Sequence, residues 1–368
     1  MLSLLFLLLS SAWIFLNVYS PLFEGPFGGF EGLGTWDFDM MGFLAEEGME
    51  GEHDTGILDF GDWVDVGRNR GDSYMFLIIG RDDGLLTDMM MLMHFNVRDG
   101  EIGLLSIPRD GWINNNVYRG GRINAAYAAG FNAARRAGRT REEADMDGIN
   151  FLRKVIQFTF GLPIDAYIHI DIDAFKLLVD AVDGVYMDVP VRMVYNDPCQ
   201  NLHINIQPGW QRLDGVQAEG VVRYRRGYID ADIGRIRTQQ RFLAALARQM
   251  LVFDVPQIRR ISEVMTDNVT TNLSVTHMLW FAAKVTEVGL DNIIMHTLPG
   301  EPARLQGGAS VWSLYRAESM QIINGFYNPH IEDIPESNFN IIEISRRYGA
   351  NPQHINLDGV TMAELINN

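Results

Sequence analysis

The chain's 368 residues suit one large domain or two ordinary ones, and its 47% hydrophobic and 11% aromatic content exclude an intrinsically disordered protein. A net charge of −17 argues against nucleic acid or general polyanion binding, because such a surface repels phosphate backbones. The lone Cys199 excludes an intrachain disulfide, and no Cys/His spacing resembles a zinc site.

Residues 1–23 (MLSLLFLLLSSAWIFLNVYSPLF) carry no charge, and a bilayer core needs about 20 apolar residues. Trp13 and Tyr19 suit a membrane interface. There is no basic n-region and no small-x-small cleavage site at the right distance, so the segment is expected to be a retained transmembrane signal anchor, with a cleaved signal peptide as the alternative. From Glu24 to Gly67 there are twelve Asp or Glu and no Lys or Arg, a poor cytoplasmic flank. Residues 24–70 are also Gly-rich and without sustained period, which predicts an acidic extracytoplasmic linker.

Three apolar runs of strand length follow: YMFLIIG (74–80), MMMLMHFN (89–96) and EIGLLSI (101–107). Their near-continuous apolarity predicts strands covered on both faces. Residues 123–137 and 148–161 carry helical patterns. DAYIHID reads as a strand, DAFKLLVDAV as a helix and GVYMDVPV as a strand. GWQRLDGVQAEGVV reads as a turn and a short helix, and a further helical pattern starts at Asp232. Beyond residue 266, helical stretches such as SVTHMLWFAAKV alternate with the strand-like NIIMHTL. This order predicts an α/β fold, a central mixed β-sheet flanked by helices, preceded by one N-terminal transmembrane helix.

Three segments carry charge in patterns that suit anion chemistry. In IIGRDDGLLTDMMM, Asp82 and Asp83 follow one strand and Asp88 precedes the next, which brings carboxylates together with no local Lys. Such a group is costly unless a cation neutralises it, and Mg2+ binds through one or two carboxylates plus substrate phosphate. A polar hairpin loop is the alternative. In SIPRDGW, Arg109 and Asp110 follow a strand at its C-terminal edge, where open α/β sheets favour ligands, although a strand-end ion pair gives the same pattern. In RYRRGYIDADIGRIRTQQ (223–240), Arg223 and Arg225 share a face if the chain is extended. Asp232, Arg235 and Gln239 fall on one helical stripe, which capping and surface pairing would explain if the stretch stood alone. Of 30 basic residues 27 are Arg, for most of which a general Arg bias suffices, but the Arg fork is also the group that grips phosphate. Carboxylates for a divalent cation together with several arginines for anionic oxygens are the equipment of phosphoryl transfer.

The segments IIGRDD…TDMMML, LLSIPRDGWI, GGRINAAYAAG, VDGVYMDVPV, GWQRLDGVQAEGVVRYRR and DADIGRIRTQQRFL occur in the order of the LytR–CpsA–Psr family, which the chain resembles over residues 74–250. Members of that family are anchored in the bacterial cytoplasmic membrane with the domain outside. They transfer phospho-glycan polymers, such as teichoic acid or capsular polysaccharide, from a polyprenyl pyrophosphate lipid to a peptidoglycan hydroxyl. The resemblance implies a single-pass anchor at 1–23, a linker at 24–70, a catalytic domain at 71–265, and at 266–368 the domain's C-terminal part or a small extension.

It also implies site roles. Asp82 (G-x-D) and Asp88 (T-D) match the carboxylates that hold Mg2+ (or Mn2+). Arg109 of S-I-P-R-D and the R-x-R pair Arg223 and Arg225 match pyrophosphate contacts, as does Arg122, where the family more often has Lys. Asp232, Arg235 and Gln239 match the D-x-x-R-x-x-x-Q stripe lining the site. Arg109, Arg223, Arg225, Asp232 and Arg235 are the implied catalytic set, with Asp232 or Asp88 as the base. Arg226, Arg237 and Arg241 fall off the motif and are expected at the surface.

Leu86-Thr87-Asp88-Met89 replaces the family's Arg-Ser/Thr-Asp-Thr, so one arginine and one hydroxyl are missing, and Arg81 beside Asp82 is the candidate to offset the lost charge. The implied partners are a polyprenyl pyrophosphate-linked glycan, a peptidoglycan acceptor and the membrane, with no nucleic acid. Helices 148–161 and 239–252 are candidates to line an apolar tunnel for the lipid tail, or are ordinary core. Two other readings share the site, a polyprenyl pyrophosphate hydrolase and a non-catalytic lipid- or glycan-binding envelope regulator. A glycosidase built on Asp82 and Asp83 would have no use for so many arginines.

Overall fold

The computed structural model describes residues 73–82, 84–228, 232–250, 260, 261, 264, 268–273, 277, 281, 284, 285, 287–344 and 356–367. The expected anchor and linker therefore lie outside the described residues. The three apolar runs become β1 (Ser73–Arg81), β2 (Thr87–Asn96) and β3 (Glu101–Ser106), paired antiparallel in succession. A short hairpin, β4 (Trp112–Ile113) and β5 (Gly121–Arg122), leads into α1 (Ala126–Arg136) and α2 (Arg141–Phe160). β6 (Ala166–Asp171) then returns parallel to β1.

The chain continues through α3 (Ile172–Ala181) and four strands, β7 (Val185–Val189), β8 (Met193–Asp197), β9 (Leu202–Ile206) and β10 (Gly209–Leu213). These pair as two antiparallel ribbons, β7 with β10 and β8 with β9. Next come α4 (Gly215–Arg223), α5 (Asp232–Met250), β11 (Val269–Thr271) and β12 (Ile293–Thr297). The last elements are the β13 (Gly300–Arg304) and β14 (Ser310–Leu314) hairpin, α6 (Arg316–Ile322), β15 (Val360–Thr361) and α7 (Met362–Asn367). The central sheet is mixed and seven-stranded, in the order β11-β6-β1-β2-β3-β12-β15. Among the described residues no helix is long and apolar enough to cross a membrane.

Alternation along β1 shows why its apolar run is continuous. Tyr74, Phe76 and Ile78 pack on one face, in a core shared with α3, α4 and α5. Met75, Leu77 and Ile79 pack on the other, against α1, α2 and the segment after β14. Both faces are thus buried, as the composition of the runs predicts. Strands from beyond residue 266 (β11, β12 and β15) belong to the same sheet.

Two local expectations need correction. The helix read from residue 148 begins at Arg141, because Thr140 caps it: its hydroxyl accepts from Glu143 N and Glu143 bonds back to Thr140 N. The polar opening turns, REEADMD, carry no apolar stripe that could reveal this. GWQRL is a strand rather than a turn; β10 turns Trp210 and Arg212 outward and buries only Leu213 among its large apolar residues. Most of SVTHMLWFAAKV lies outside the described residues.

α1 and α2 approach closely through two glycines. A Cβ on Gly130 would fall 2.6 Å from Phe151 Cβ, and one on Gly148 would fall 2.8 Å from the Tyr127 ring. Gly130→Ala should therefore destabilise: overpacking costs about 1–3 kcal/mol and outweighs the ~1 kcal/mol of helix propensity gained. A thermal melt with an unchanged or raised midpoint would show that the crossing has room.

Buried histidines give a second expectation. His296 on β12 accepts from Tyr327 Oη at 3.0 Å and donates to Leu357 O at 3.2 Å, and burial pushes its pKa down to about 4. The unfolded chain thus takes up a proton, near the ordinary 6.5, before the folded one does. The contribution is complete above about pH 6.5 and is lost as pH falls through 4. Denaturant titrations should show stability falling across that window, and less steeply in His296→Gln.

Candidate functional site

β1, β3 and β6 run in one direction, so their C-terminal ends meet at one edge of the sheet, where β2 also begins. Loops at such an edge are the natural place for a ligand. Asp82 follows β1, Asp88 is the second residue of β2, and Arg109 follows β3. β6 hands over to α3 at Asp171, whose carboxylate caps the helix by accepting from Ala174 N at 2.8 Å. α4 is started by a capping box between Asp214 and Gln217 and ends at Arg223, because Tyr224 turns to extended backbone. That places Arg223 at the same edge.

Two guanidinium–carboxylate pairs tie these segments together. Arg109 Nη1 bonds the Asp88 carboxylate. Arg223 Nη2 donates to Asp82 Oδ2 at 3.1 Å and to Gln200 Oε1, and Arg223 Nη1 donates to Glu219 at 2.8 Å. Both arginines are mostly buried, and Arg109 Nε is a buried donor with no hydrogen-bond partner among the described residues. The pairs stand in the wall of a polar cavity of about 820 Å3. An apolar cleft of about 80 Å3 opens beside it, walled by Met89, Ile170, Ile172, Phe175 and Phe242. Asp82, Asp88 and Arg223 line both.

The other expected residues divide. Arg225 and Arg235 line the polar cavity, Arg225 exposed at its mouth and Arg235 buried. Gln239 is buried along the apolar cleft, where Nε2 donates to Val222 O at 2.9 Å. Arg122 lines neither cavity: its guanidinium lies 3.6 Å from Asp110 and donates to Ser310 O at 2.6 Å. Asp83 and the Asp232 side chain lie outside the described residues. Of the two helices considered for a lipid tunnel, α5 contributes Phe242 to the cleft, whereas α2 lines neither cavity and packs its buried side on the other face of the sheet.

Sequence reasoning also missed residues. Arg226, expected at the surface, is exposed but lies at the cavity mouth with its guanidinium 4.7 Å from the Tyr195 ring centroid. Tyr195 and Gln200 come from the β8–β9 ribbon and its tip, which no motif marks. Glu219 lies four residues before Arg223, a helical spacing that could have revealed the pair. Leu86, where the family has an arginine, lines the cavity and is exposed. Arg81 turns away from the polar cavity and does not replace the missing charge there.

The donor set for a divalent cation is small. Among the described residues no group of three or more His, Cys, Asp or Glu gathers at metal-binding distance. Asp82 and Asp88 share the cavity wall, and a pair of carboxylates suits Mg2+, which keeps several waters and completes its shell with substrate phosphate.

Comparison with known proteins agrees with the motif order. The LytR_cpsA_psr family model matches residues 51–325. A probable cell wall biosynthesis protein of Corynebacterium glutamicum, LcpB, is 36% identical over 160 residues, 44% of this chain and 33% of that protein. TagV of Bacillus subtilis, named a polyisoprenyl-teichoic acid–peptidoglycan teichoic acid transferase, is 28% identical over 198 residues, 52% of this chain and 46% of that one. The matches thus span a third to a half of the length of these relatives. In fold, the chain is similar to the crystal structure of B. subtilis TagV, with a TM-score of 0.58 at 20% identity over 74% of this chain and 98% of that one. It is also similar to TagT bound to LIIa-WTA, with a TM-score of 0.56 at 22% identity over 70% and 91%.

Proposed function

Because the chain belongs to the LytR–CpsA–Psr family, we propose that it transfers a phospho-glycan polymer from a polyprenyl pyrophosphate carrier to a cell-wall hydroxyl, with Mg2+ (or Mn2+) as cofactor. The observation that carries this reading is the junction at Asp82, Asp88 and Arg223, where a polar, arginine-lined cavity meets an apolar cleft. A lipid-linked pyrophosphate has that same division, a doubly charged head joined to a hydrocarbon tail.

On this reading the tail enters the cleft along Phe175 and Phe242, whose rings pack against each other with centroids 5.7 Å apart. Arg109 and Arg223 exchange their carboxylate partners for pyrophosphate oxygens. Fixed guanidinium groups facing charge that grows in the transition state accelerate transfer, since they need no reorganisation as the bond breaks. Asp82 and Asp88 would hold the Mg2+, whose chemistry is to neutralise the pyrophosphate. Arg225 and Arg226 draw the anion to the mouth. A sugar hydroxyl attacks the glycan-bearing phosphorus in line, giving its proton to a carboxylate base, Asp232 or Asp88, as the bridging P–O bond breaks and the lipid phosphate leaves. The uncharged N-terminal 23 residues and the acidic stretch after them support a single-pass anchor in the bacterial cytoplasmic membrane with the domain outside.

A transfer assay with lipid-linked polymer and peptidoglycan tests the reading. Arg223→Ala and Asp88→Ala should each lower kcat/KM by about 10²–10³-fold. Arg223→Lys should fall between, because an ammonium lacks the fork. Full activity in both alanine variants overturns the site assignment, and polymer released to water at equal rates without acceptor would make the protein a hydrolase.

A further inference from the structure

Arg81 lies one residue before Asp82, and its side chain is only 10% exposed. Alternation along β1 sends it to the α1–α2 face with Met75, Leu77 and Ile79; β1 stays paired with β6 through Arg81, and the register shift against β2 leaves Asp88 of β2 as the extra residue. A buried guanidinium is costly unless its donors are met. Here they are met on three sides. Nε donates to His169 Nε2 at 3.3 Å, Nη1 donates to Gly84 O at 2.8 Å, and Nη2 lies 3.6 Å from Asp145 Oδ1. The group also sits 4.7 Å from the centroid of the Tyr127 ring, and Tyr127 Oη bonds Asp145. His169 must be neutral to accept, and burial with the Arg81 charge beside it pushes its pKa down to about 4.

We propose that Arg81 is a positioning residue that anchors Gly84, and through it the Asp82 carboxylate, to the buried Asp145–Tyr127–His169 group. The chain of contacts is continuous: Gly84, whose carbonyl Arg81 holds, gives its N–H to Asp82 Oδ1 at 2.8 Å, leaving Oδ2 for Arg223. Space beside Gly84 is tight, since a Cβ there would fall 2.9 Å from Asp82 Oδ1. A direct phosphate contact is the competing role for Arg81. Against it, each of its three nitrogens already faces an acceptor, and Arg81 borders the apolar cleft but not the polar cavity. His169, Tyr127 and Asp145 line neither cavity.

The inference rests on the proposed function, which makes Asp82 a metal carboxylate. The test measures binding of farnesyl pyrophosphate by titration calorimetry, with Mg2+ and with EDTA, alongside thermal melts. In Arg81→Gln, the affinity gained from Mg2+ should fall about ten- to hundredfold, the usual effect of losing a group that orients a metal ligand. Affinity in EDTA should stay within about twofold. Adding Arg81→Gln to Asp82→Asn should cost little more than Asp82→Asn alone, as for residues acting in series. Arg81→Lys and Asp145→Asn should weaken the same Mg2+-dependent gain, and they serve if Arg81→Gln does not fold. A lower melting point with the Mg2+ gain intact would reduce Arg81 to a structural role and overturn the proposal. A loss of equal size in EDTA, fully additive to Asp82→Asn, would make it a phosphate ligand and also overturn it. If Asp82→Asn itself keeps the full Mg2+ gain, the metal assignment falls and takes this inference with it. If Asp82→Asn loses the gain while the Arg81 and Asp145 variants keep it, only this inference falls.

Discussion

The pairing of Arg109 with Asp88 and of Arg223 with Asp82 is the constraint on which the site depends. Four charges cannot face a mostly buried wall unless each has a partner, since an unpaired buried ion costs several kcal/mol. Pairing them holds the start of β2, the loop after β3, the loop after β1 and the end of α4 in one place before any ligand arrives. The same pairs explain how the site can be charged and still fold. On the proposed function a pyrophosphate gives the arginines new acceptors, so the charge of the wall is redistributed on binding and never stranded.

Sheet direction makes this possible. β1, β3 and β6 are parallel to one another although β2 is antiparallel between two of them, so three C-terminal ends reach one edge. Coverage of both faces then separates two tasks. The face under α3, α4 and α5 opens into the apolar cleft, while the side-chain contacts of Arg81 to His169 and Asp145 lie toward the face under α1 and α2. The glycine contact between α1 and α2 keeps that second layer tight against the strand end it supports.

Much of this was legible from residues alone. The runs in β1, β2 and β3 are long, apolar and bounded by turn residues, so strand existence and two-sided burial could be read directly. Asp82, Asp88, Arg109 and Arg223 were legible as chemistry, because clustered charge in an apolar context asks for a partner. The hairpin that contributes Tyr195 and Gln200 was not. Its strands bury one face only, with Val194, Asn196 and His203 exposed, so they carry no continuous apolar run like those of β1 to β3 and no motif residue. Arg226 and Arg122 show the same limit from opposite sides. The family resemblance left one at the surface and gave the other to the ligand, but the position of each follows from contacts distant in sequence, Tyr195 for Arg226, which is exposed yet lines the cavity, and Ser310 for Arg122. Arg81 belongs with them. Proximity to Asp82 suggested a shared role in the cavity, whereas strand alternation, also present in the sequence, points its side chain to the other face.

A chain of net charge −17 that concentrates arginine at one cavity is not in conflict with itself. Among the described residues of that cavity wall, six are cationic and four are carboxylates, so the local balance is the reverse of the global one. Charges on the outer surface are screened over about 8 Å at physiological ionic strength, while those inside a cavity walled by protein act on one another with little screening. The acidic surface therefore costs the site little attraction for an anion that has already reached the mouth. It does set which anions get there. Free polyanions arriving from solution meet repulsion first, whereas on the proposed function a carrier presented within a membrane would approach by the apolar side of the junction.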